Sequence, residues 1–412
     1  MKWIRRRGIP GFAGGEVIER REKAMIRSPE RIAAADVLRG FGLLGILLVN
    51  MHYFSSPALY DDSIKDSGFD RTVAAVVDVL FEASAYPLFA FLFGFGAVMM
   101  FRRLSSRGER PIPILLRRFF LLLGIGIAHA FGLWFGDILI PYALAGFIML
   151  FFFAAPPRWW RTAAVAVFFL FHGLMALLLA LNVLAGEMET AGGHETAAAA
   201  AVRHYRNGTF HDVFWQRWND WMYINGDGGL LLTVLTVLPF CLLGGYAADQ
   251  RWLEADRHPP AKLRRLMGWA LCFGLALKTI PYWATANDLT VYIQDSFGGA
   301  ALAVFYAAAA VFVCGKQSWQ RAWRWWQDVG KMSLTHYLAQ SLVCTSLFYG
   351  YGLGWYGRTS AWQETLLAFA LYAVEVWASR RWFARFRFGP IEWLWRWGTY
   401  GARPPFRRRP GQ

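Results

Sequence analysis

Apolar residues along this chain occur in ten long blocks, and polar or charged segments separate each block from the next. Most blocks hold roughly 18–24 residues, the length that an α-helix needs to cross the hydrocarbon core of a bilayer. We therefore expect an all-α polytopic membrane protein with about ten transmembrane helices. The predicted spans are 37–54, 73–101, 119–136, 138–155, 162–185, 229–249, 266–284, 297–314, 332–350 and 362–383.

The connections between the blocks alternate in charge. Lys and Arg are concentrated in loops 102–118, 156–161, 250–265 and 315–331, whereas the connections between these loops are acidic or contain few basic residues. Positively charged loops remain on the cytoplasmic side of a membrane. The alternation therefore predicts a multi-pass membrane protein with the N-terminus and the C-terminus both in the cytoplasm.

The same pattern divides the chain into five segments. A basic cytoplasmic arm (1–31) precedes an N-terminal membrane half of five helices (32–185). Segment 186–228 is predicted to be an extracytoplasmic loop, and its Trp-rich part is expected to form an interfacial helix at the level of the lipid headgroups. A C-terminal membrane half (229–400) and a basic tail (401–412) complete the chain.

The composition agrees with a membrane location and indicates which partners to expect. The chain is 56% hydrophobic and 17% charged, whereas soluble proteins are about 45–50% apolar and about 25% charged. A net charge of +15 suggests nucleic acid as a partner when the domain is soluble. Here the basic residues lie between apolar blocks, so we expect membrane lipids as partners and no nucleic acid. No metal site is predicted, because the four cysteines lack ligand spacing.

Ionisable side chains inside predicted spans are the first candidates for function, because a charge within a membrane is costly. Asp36, Arg39 and Asn50 lie within about 60° of one another on the first predicted helix. His129 lies in the outer half of its block, and Asp137 follows in a short turn at a similar depth. A carboxylate beside a histidine orients the ring and raises its basicity, as a general base requires. The alternative is that His129 joins two helices and Asp137 caps the next helix.

A second group of polar side chains is less specific. Asp78 and Glu82 are four residues apart and so share a helix face, at a depth similar to that of His129. They belong to the first third of block 73–101, which is expected to form a separate interfacial or re-entrant helix. His336 and Gln340 share one stripe of the ninth block, where packing is the alternative role of the histidine.

Several ordered motifs resemble those of the bacterial YeiB-like integral membrane proteins. In the N-terminal half they are DVLRGFGLLGILLVN, PLFAFLFGFG and RRFFLLLGIGIAHAFGLWFGDILIPYALAG. In the C-terminal half, GKMSLTHYLAQSLVCTSLFYGYGLG and RFRFGPIEWLWR resemble the domain of unknown function 418 that this family carries. The resemblance extends from about residue 31 to residue 400, which is almost the whole chain.

The N-terminal half of that family is similar to transmembrane acyltransferases such as heparan-alpha-glucosaminide N-acetyltransferase. Those enzymes move an acyl group from cytosolic acyl-CoA to a sugar on the far side of the membrane. The pairs Arg39–Gly40 and Val49–Asn50 match their first-span pattern, in which the asparagine is implicated in catalysis. Their catalytic histidine lies eleven residues after that asparagine, where this chain has Asp61. We therefore expect His129 to serve as the base instead.

The resemblance and the polar residues together predict an acyltransferase with acyl-CoA as co-substrate, no covalently bound cofactor, and an envelope glycan or small molecule as acceptor. His129, Asp137 and Asn50 are the expected catalytic residues. The candidates for binding substrate or CoA are Asp36, Arg39, Arg117, Arg118, Asp78, Glu82, His336 and Gln340. Two alternatives remain open: a secondary transporter of a small solute that uses the same residues, and a non-catalytic membrane scaffold.

Reporter fusions test the predicted topology. Fusions at the N-terminus, residue 108, residue 257 and the C-terminus should report a cytoplasmic location, because Lys and Arg are concentrated there. Fusions near residues 64 and 205 should report an extracytoplasmic location. A cytoplasmic signal at residue 205 would contradict the arrangement of ten spans.

Overall fold

The structure is a computed structural model that describes residues 32–61, 68–186, 194–316, 318 and 320–408. Within these residues the regular structure is helical, and an isolated antiparallel bridge joins Phe386 and Arg407. The predicted arm 1–31 lies outside the described residues, as do the last four residues of the tail.

The α-helices follow one another with short connections. In chain order they are α1 (Ala33–Ser55), α2 (Gly68–Phe81), α3 (Ala85–Ser106), α4 (Pro111–Gly132), α5 (Leu139–Met149), α6 (Pro157–Ala185), α7 (His194–Asn207), α8 (Phe210–Asn225), α9 (Gly229–Asp249), α10 (Pro260–Lys278), α11 (Ile280–Trp283), α12 (Asp288–Ile293), α13 (Gly299–Cys314), α14 (Gln320–Lys331), α15 (Ser333–Phe348), α16 (Ala361–Phe383) and α17 (Pro390–Tyr400). A π-helical turn, Gln294–Gly298, joins α12 to α13.

Six helical stretches of the described chain are long and apolar enough to cross a membrane: 33–55, 68–106, 111–132, 157–185, 229–249 and 288–314. Each of them overlaps one predicted span. The other four predicted spans fall on α5, α10, α15 and α16, which are shorter or more polar. The chain is therefore an all-helical membrane protein, as its apolar blocks predict.

The long second block is divided in two. Helix α2 ends at Phe81, and α3 begins at Ala85. Between them Ala83 has a φ of 52°, a left-handed conformation that ends a right-handed helix. The expectation of a separate helix before Tyr86–Pro87 is thus confirmed.

Helix α1 lies at the centre of the helical bundle. Helices α2, α3, α13, α14, α15 and α16 all contact it, and most of its side chains are buried. The Tyr372 hydroxyl on α16 donates a hydrogen bond of 2.8 Å to the carbonyl of Gly40. Asp36 on α1 is buried among these helices, whereas Arg39 and Asn50 are half-buried.

The segment before α9 contains a pair of short helices, α7 and α8. Two of the Trp residues on α8, Trp215 and Trp218, are 49% and 40% exposed, and Trp221 is half-buried. The opposite face carries Asp220, which accepts hydrogen bonds from Tyr60, Tyr205 and Gln216. Burial raises the pKa of the Asp220 carboxyl above its usual range, and these hydrogen bonds offset part of that rise. The pair is therefore attached to the rest of the chain by a buried polar cluster.

Helices α3 and α9 approach each other closely through glycines. A methyl group at Gly94 would lie 1.8 Å from the carbonyl oxygen of Cys241, and one at Gly244 would lie 1.9 Å from that of Phe91. Small residues allow such close contact between membrane helices.

Substitution of Gly94 tests this contact. Gly94→Ala should lower thermal stability in detergent by about 1–3 kcal/mol, because the methyl group must push the two backbones apart. Gly96→Ala is the matched control on the same helix, where the added methyl would be 3.7 Å from Arg39 Nη2. The control should be neutral or up to about 1 kcal/mol more stable, since alanine favours helix. Equal melting temperatures for the two variants would contradict the close packing.

Candidate functional site

His129 and Asp137 lie on the two sides of one turn. Helix α4 ends at Gly132, three residues after His129, and the chain then reverses into α5. His129 Nδ1 is 2.9 Å from Asp137 Oδ1, and the backbone N–H of Ile140 donates to Asp137 Oδ2 at 2.7 Å. Asp137 therefore has both roles that the sequence left open: it holds the histidine and binds the first turn of α5.

The second nitrogen of the imidazole contacts a residue that the sequence does not single out. His129 Nε2 is 2.8 Å from Ser341 Oγ on α15. The side chains of His129 and Asp137 have no exposed surface, and Ser341 is 1% exposed. The result is an enclosed chain of three side chains in the order serine, histidine and aspartate.

Tyr337 holds α15 against the turn. Its hydroxyl donates to the carbonyl of Gly136 at 3.1 Å and accepts from the N–H of Ile138 at 3.3 Å. Its ring centroid is 4.8 Å from that of His129. Because Tyr337 contacts the residues on both sides of Asp137, it fixes the carboxylate relative to Ser341 one helical turn away.

Gly126 on α4 leaves room for this arrangement. A methyl group at this position would lie 3.1 Å from Asp137 Oδ2 and 2.9 Å from the backbone nitrogen of Ile140. Gly126 is one turn before His129 on the helix, so the turn can fold back against α4 and bring the carboxylate to the ring.

Arg217 binds the end of α4 from outside the bundle. It is fully buried, and its guanidinium donates to the carbonyls of Gly132 and Leu133, the latter at 2.9 Å. The last carbonyls of a helix have no partners within the helix, and a cation is favourable at this end. Arg217 thereby attaches α8 to the helix that carries His129. An arginine within a predicted loop gives no sequence signal for this role.

A cavity of about 320 Å³ extends through the bundle towards this cluster. One part of its lining is basic, and the other part is apolar and aromatic. The basic residues are Arg39, Arg103, Arg118, Lys331 and Arg396, and the apolar ones include Leu43, Ile46, Phe89, Leu92, Phe93, Phe119 and Leu122. The cavity is therefore amphipathic, and cations line the part that contains the predicted cytoplasmic helix ends.

Helical periodicity relates the far end of the cavity to the buried cluster. Tyr337 lines the cavity, and Ser341 follows it by four residues on the same face of α15. Leu122 also lines it, and His129 follows by seven residues on the same face of α4. The turn residue Ile138, directly after Asp137, lines the cavity as well. His129, Asp137 and Ser341 do not themselves line the cavity, but each lies within two helical turns of a residue that does.

Other predicted residues occupy different places relative to this cavity. Asp36 and Arg39 form an ion pair of 2.9 Å, and both line the cavity. Arg118 lines it too and places its guanidinium 3.4 Å from the ring centre of Trp395. Arg117 instead lies beside Gly401. Asn50, half-buried, follows the cavity residue Ile46 by one turn of α1.

Asp78 belongs to a different cluster. The ammonium of Lys278, which is fully buried, is 3.2 Å from Asp78 Oδ1 and 3.1 Å from Asp295 Oδ1. Tyr282 also donates to Asp78, at 2.6 Å. Glu82 follows α2 in the turn before α3. Lys278 lies on α10 and Tyr282 on α11. These partners of Asp78 therefore do not include His129.

His336 and Gln340 are bonded to α16. His336 Nε2 is 2.7 Å from Ser379 Oγ, and the Gln340 amide donates to Glu375 Oε2 at 3.0 Å. Neither residue lines the cavity. This arrangement favours the alternative that they join two helices by packing and hydrogen bonds.

Glu392 has a role that the sequence does not indicate. Its carboxylate accepts the backbone N–H groups of Leu334 and Thr335 at 2.8 and 3.0 Å. A carboxylate satisfies the free N–H groups of a helix start and is favoured there by the helix dipole. Glu392 on α17 therefore caps α15, the helix that carries Tyr337 and Ser341.

The chain is similar to other bacterial proteins along nearly its full length. The family described as "Protein of unknown function (DUF418)" matches residues 247–402. "Uncharacterized protein YxaH" of Bacillus subtilis (strain 168) is 34% identical over 396 residues, which cover 92% of this chain and 97% of the relative. The chain belongs to the DUF418 family.

Two further relatives extend the comparison. "Uncharacterized protein YeiB" of Escherichia coli (strain K12) is 28% identical over 409 residues, covering 91% of this chain and 98% of YeiB. "Uncharacterized 39.9 kDa protein in amylase 3'region" of Bacillus acidopullulyticus is 28% identical over 392 residues, covering 91% of this chain and 96% of the relative. The resemblance to YeiB-like proteins is thus confirmed for this DUF418 protein.

Removal of the Arg217 guanidinium tests its contact with α4. Arg217→Gln should lower the melting temperature of the purified DUF418 protein, because two buried carbonyls lose donors at about 1–3 kcal/mol each. Arg203→Gln on neighbouring α7 is the control, since Arg203 is exposed. Equal melting of both variants would show that Arg217 does not stabilise the end of α4.

Proposed function

We propose that this protein is an acyl-CoA-dependent acyltransferase of the bacterial cytoplasmic membrane. It transfers an acyl group to an extracytoplasmic acceptor such as a sugar. The observation that supports this function best is the cavity, whose lining is basic in one part and elsewhere includes Ile138, directly after Asp137, and Tyr337, one helical turn before Ser341. In the proposed topology of ten spans with cytoplasmic termini, the basic part faces the cytosol and the Asp137 turn faces outward.

The cavity has the chemistry that a thioester donor requires. Arginines bind phosphate through paired, charge-assisted hydrogen bonds, and Arg39, Arg103 and Arg118 line the basic part. The apolar part fits the narrow arm of CoA and an acyl chain. The volume of the whole cavity, about 320 Å³, lies within the range of small-molecule sites. The nucleotide of CoA remains at the basic mouth, and the thioester is placed at the closed end.

The buried cluster supplies the base. Asp137, as a carboxylate, accepts the Nδ1–H of His129, so the lone pair of the neutral ring is on Nε2. General base catalysis by such a nitrogen requires contact with the proton that is removed. Asn50, one turn beyond Ile46 on the same face of α1, donates to the oxygen on which negative charge develops.

Transport of a small solute is the second candidate function. The observation that favours it is Lys278, a buried ammonium between two carboxylates, Asp78 and Asp295, that are 26% and 35% exposed. Buried ion pairs that reach partly exposed carboxylates are typical of ion and proton pathways in membranes. Uptake by proteoliposomes that depends on Lys278, without acyl transfer, would favour transport over the enzyme.

Substitution of His129 tests the proposed enzyme. His129→Gln should lower acyl transfer about 10²–10⁴-fold, the usual contribution of a general base, while the protein stays folded. The measurement is transfer from labelled acetyl-, butyryl- or palmitoyl-CoA into envelope fractions of cells that overproduce the protein. Protein level and thermal melting are recorded in parallel.

A second buried histidine provides the matched control. His172 on α6 is 1% exposed and its Nδ1 is 2.7 Å from the Tyr292 hydroxyl, remote from the cavity lining. His172→Gln should lower stability to a comparable degree and leave the transfer rate per folded molecule unchanged. Full transfer by His129→Gln would refute the role of His129 as the base.

A further inference from the structure

We infer that Ser341 is a nucleophile that carries the acyl group as an ester between the donor and the acceptor. This inference rests on the proposed function, because acyl-CoA is the donor. It is carried by the chain of contacts Ser341 Oγ to His129 Nε2 at 2.8 Å and His129 Nδ1 to Asp137 Oδ1 at 2.9 Å. A nucleophile, a base and a group that orients the base are the three components of nucleophilic catalysis by serine.

The hydrogen-bond directions follow from the fixed carboxylate. Asp137 Oδ2 already accepts the N–H of Ile140, so the carboxylate is held with Oδ1 towards the ring. Oδ1 then accepts the Nδ1–H of His129, which leaves Nε2 as an acceptor. The Ser341 hydroxyl has one proton and two acceptors within reach, the Tyr337 carbonyl at 3.3 Å and His129 Nε2 at 2.8 Å, and the shorter contact is to Nε2. The neutral ring is thus positioned to remove a proton from Ser341.

This arrangement prevents His129 from removing a proton directly from an acceptor in the first step. Both ring nitrogens contact side chains of the protein, so an incoming acceptor cannot reach Nε2 while Ser341 occupies it. The first proton that Nε2 receives is therefore that of Ser341, and the first bond to the acyl carbon is made by Ser341 Oγ.

The position of Ser341 fits transfer in two steps. It lies one turn beyond the cavity residue Tyr337, so a thioester that passes Tyr337 reaches it. Ser341 is 1% exposed and the other two side chains have no exposed surface. An ester formed there is shielded from water, so it survives until an acceptor arrives from the other side of the membrane.

Each step balances without a redox partner. In the first step, Ser341 Oγ bonds to the acyl carbon, its proton passes to His129 Nε2, and the carbon–sulfur bond breaks. The CoA thiolate takes that proton and leaves as the free thiol. In the second step, the acceptor hydroxyl or amine gives its proton to Nε2 and bonds to the acyl carbon. The ester bond to Oγ breaks, and Ser341 regains a proton from His129.

A second set of the same residue types lacks this geometry and serves as a control. Ser379 Oγ is 2.7 Å from His336 Nε2, but His336 Nδ1 is 3.6 Å from Glu375 Oε1, which is too long for a hydrogen bond. None of the four residues Ser379, His336, Ser341 and His129 lines the cavity itself, but Tyr337, whose ring contacts His129, does. Ser379 is fully buried, so Ser379→Ala removes a comparable hydroxyl without touching the proposed nucleophile.

A fluorophosphonate probe tests the nucleophile independently of the acyl donor. The full-length protein in detergent is treated with alkyl fluorophosphonates of short and long chain, which react with activated serines by loss of fluoride. Peptide mass spectrometry should place the label on Ser341. Labelling should disappear in Ser341→Ala, fall at least about 10²-fold in His129→Gln, and remain in Ser379→Ala. Labelling of Ser341 at an unchanged rate in His129→Gln would overturn the inference.

Acyl-CoA without acceptor tests the ester itself. Labelled acetyl-, butyryl- or palmitoyl-CoA should leave one acyl group on Ser341, and Ser341→Ala should lower transfer by about 10³-fold or more. Ser341→Cys keeps nearly the same shape, and its acyl group should become removable by neutral hydroxylamine, because a thioester is more reactive than an ester. Melting temperatures of all variants separate loss of chemistry from loss of folding.

The two experiments separate this inference from the proposed function. Transfer at the wild-type rate by Ser341→Ala would overturn the nucleophile and leave the acyltransferase in place. A fluorophosphonate label on Ser341 that depends on His129, together with no transfer from any acyl-CoA, would support the nucleophile and overturn the CoA donor. Absence of both the label and the ester on Ser341 would overturn the inference.

Discussion

The hydrogen bond between His129 and Asp137 joins the end of α4 to the start of α5 and determines how the rest of the site is arranged. Two ionisable side chains inside a membrane bundle are stable only when each satisfies the other or a further partner. Here one oxygen of the Asp137 carboxylate contacts the His129 ring, and the other accepts the backbone N–H of Ile140. Ser341 can approach the ring only on the remaining nitrogen. One turn thereby defines both the orientation of the base and the place of its partner.

The surrounding contacts keep that turn in place from three directions. Tyr337 bonds to it from α15, Glu392 caps the start of α15, and Arg217 bonds to the end of α4 from α8. These residues are buried or half-buried, and each of the three contacts ends on backbone groups that their own helices leave without partners. The position of the proposed site therefore depends on segments that lie in both halves of the chain and in the region between them.

The parts of this arrangement that could be predicted are local in sequence. The apolar blocks indicate the membrane helices, and the spacing of His129 and Asp137 indicates a short turn between two spans. Ser341 is 212 residues from His129, and nothing in an apolar helix distinguishes a functional serine from one bonded to its own backbone. Asp78 and His129 were expected at a similar depth in the membrane. The depth of a side chain, however, does not determine which neighbouring helix that side chain faces. Asp78 instead contacts the ammonium of Lys278, which also contacts Asp295.

The separation between paired charges also has a consequence for the order of assembly during synthesis. His129 and Asp137 are eight residues apart, so the hairpin of α4 and α5 can enter the bilayer with its ionisable groups already paired. Asp78 is 200 residues from Lys278. The ribosome must therefore complete α10 before the Asp78 carboxylate meets its counter-charge, and until then the emerging N-terminal half must keep Asp78 at the aqueous boundary or protonated. A chain that ends before α10 would lack the ammonium that pairs with Asp78.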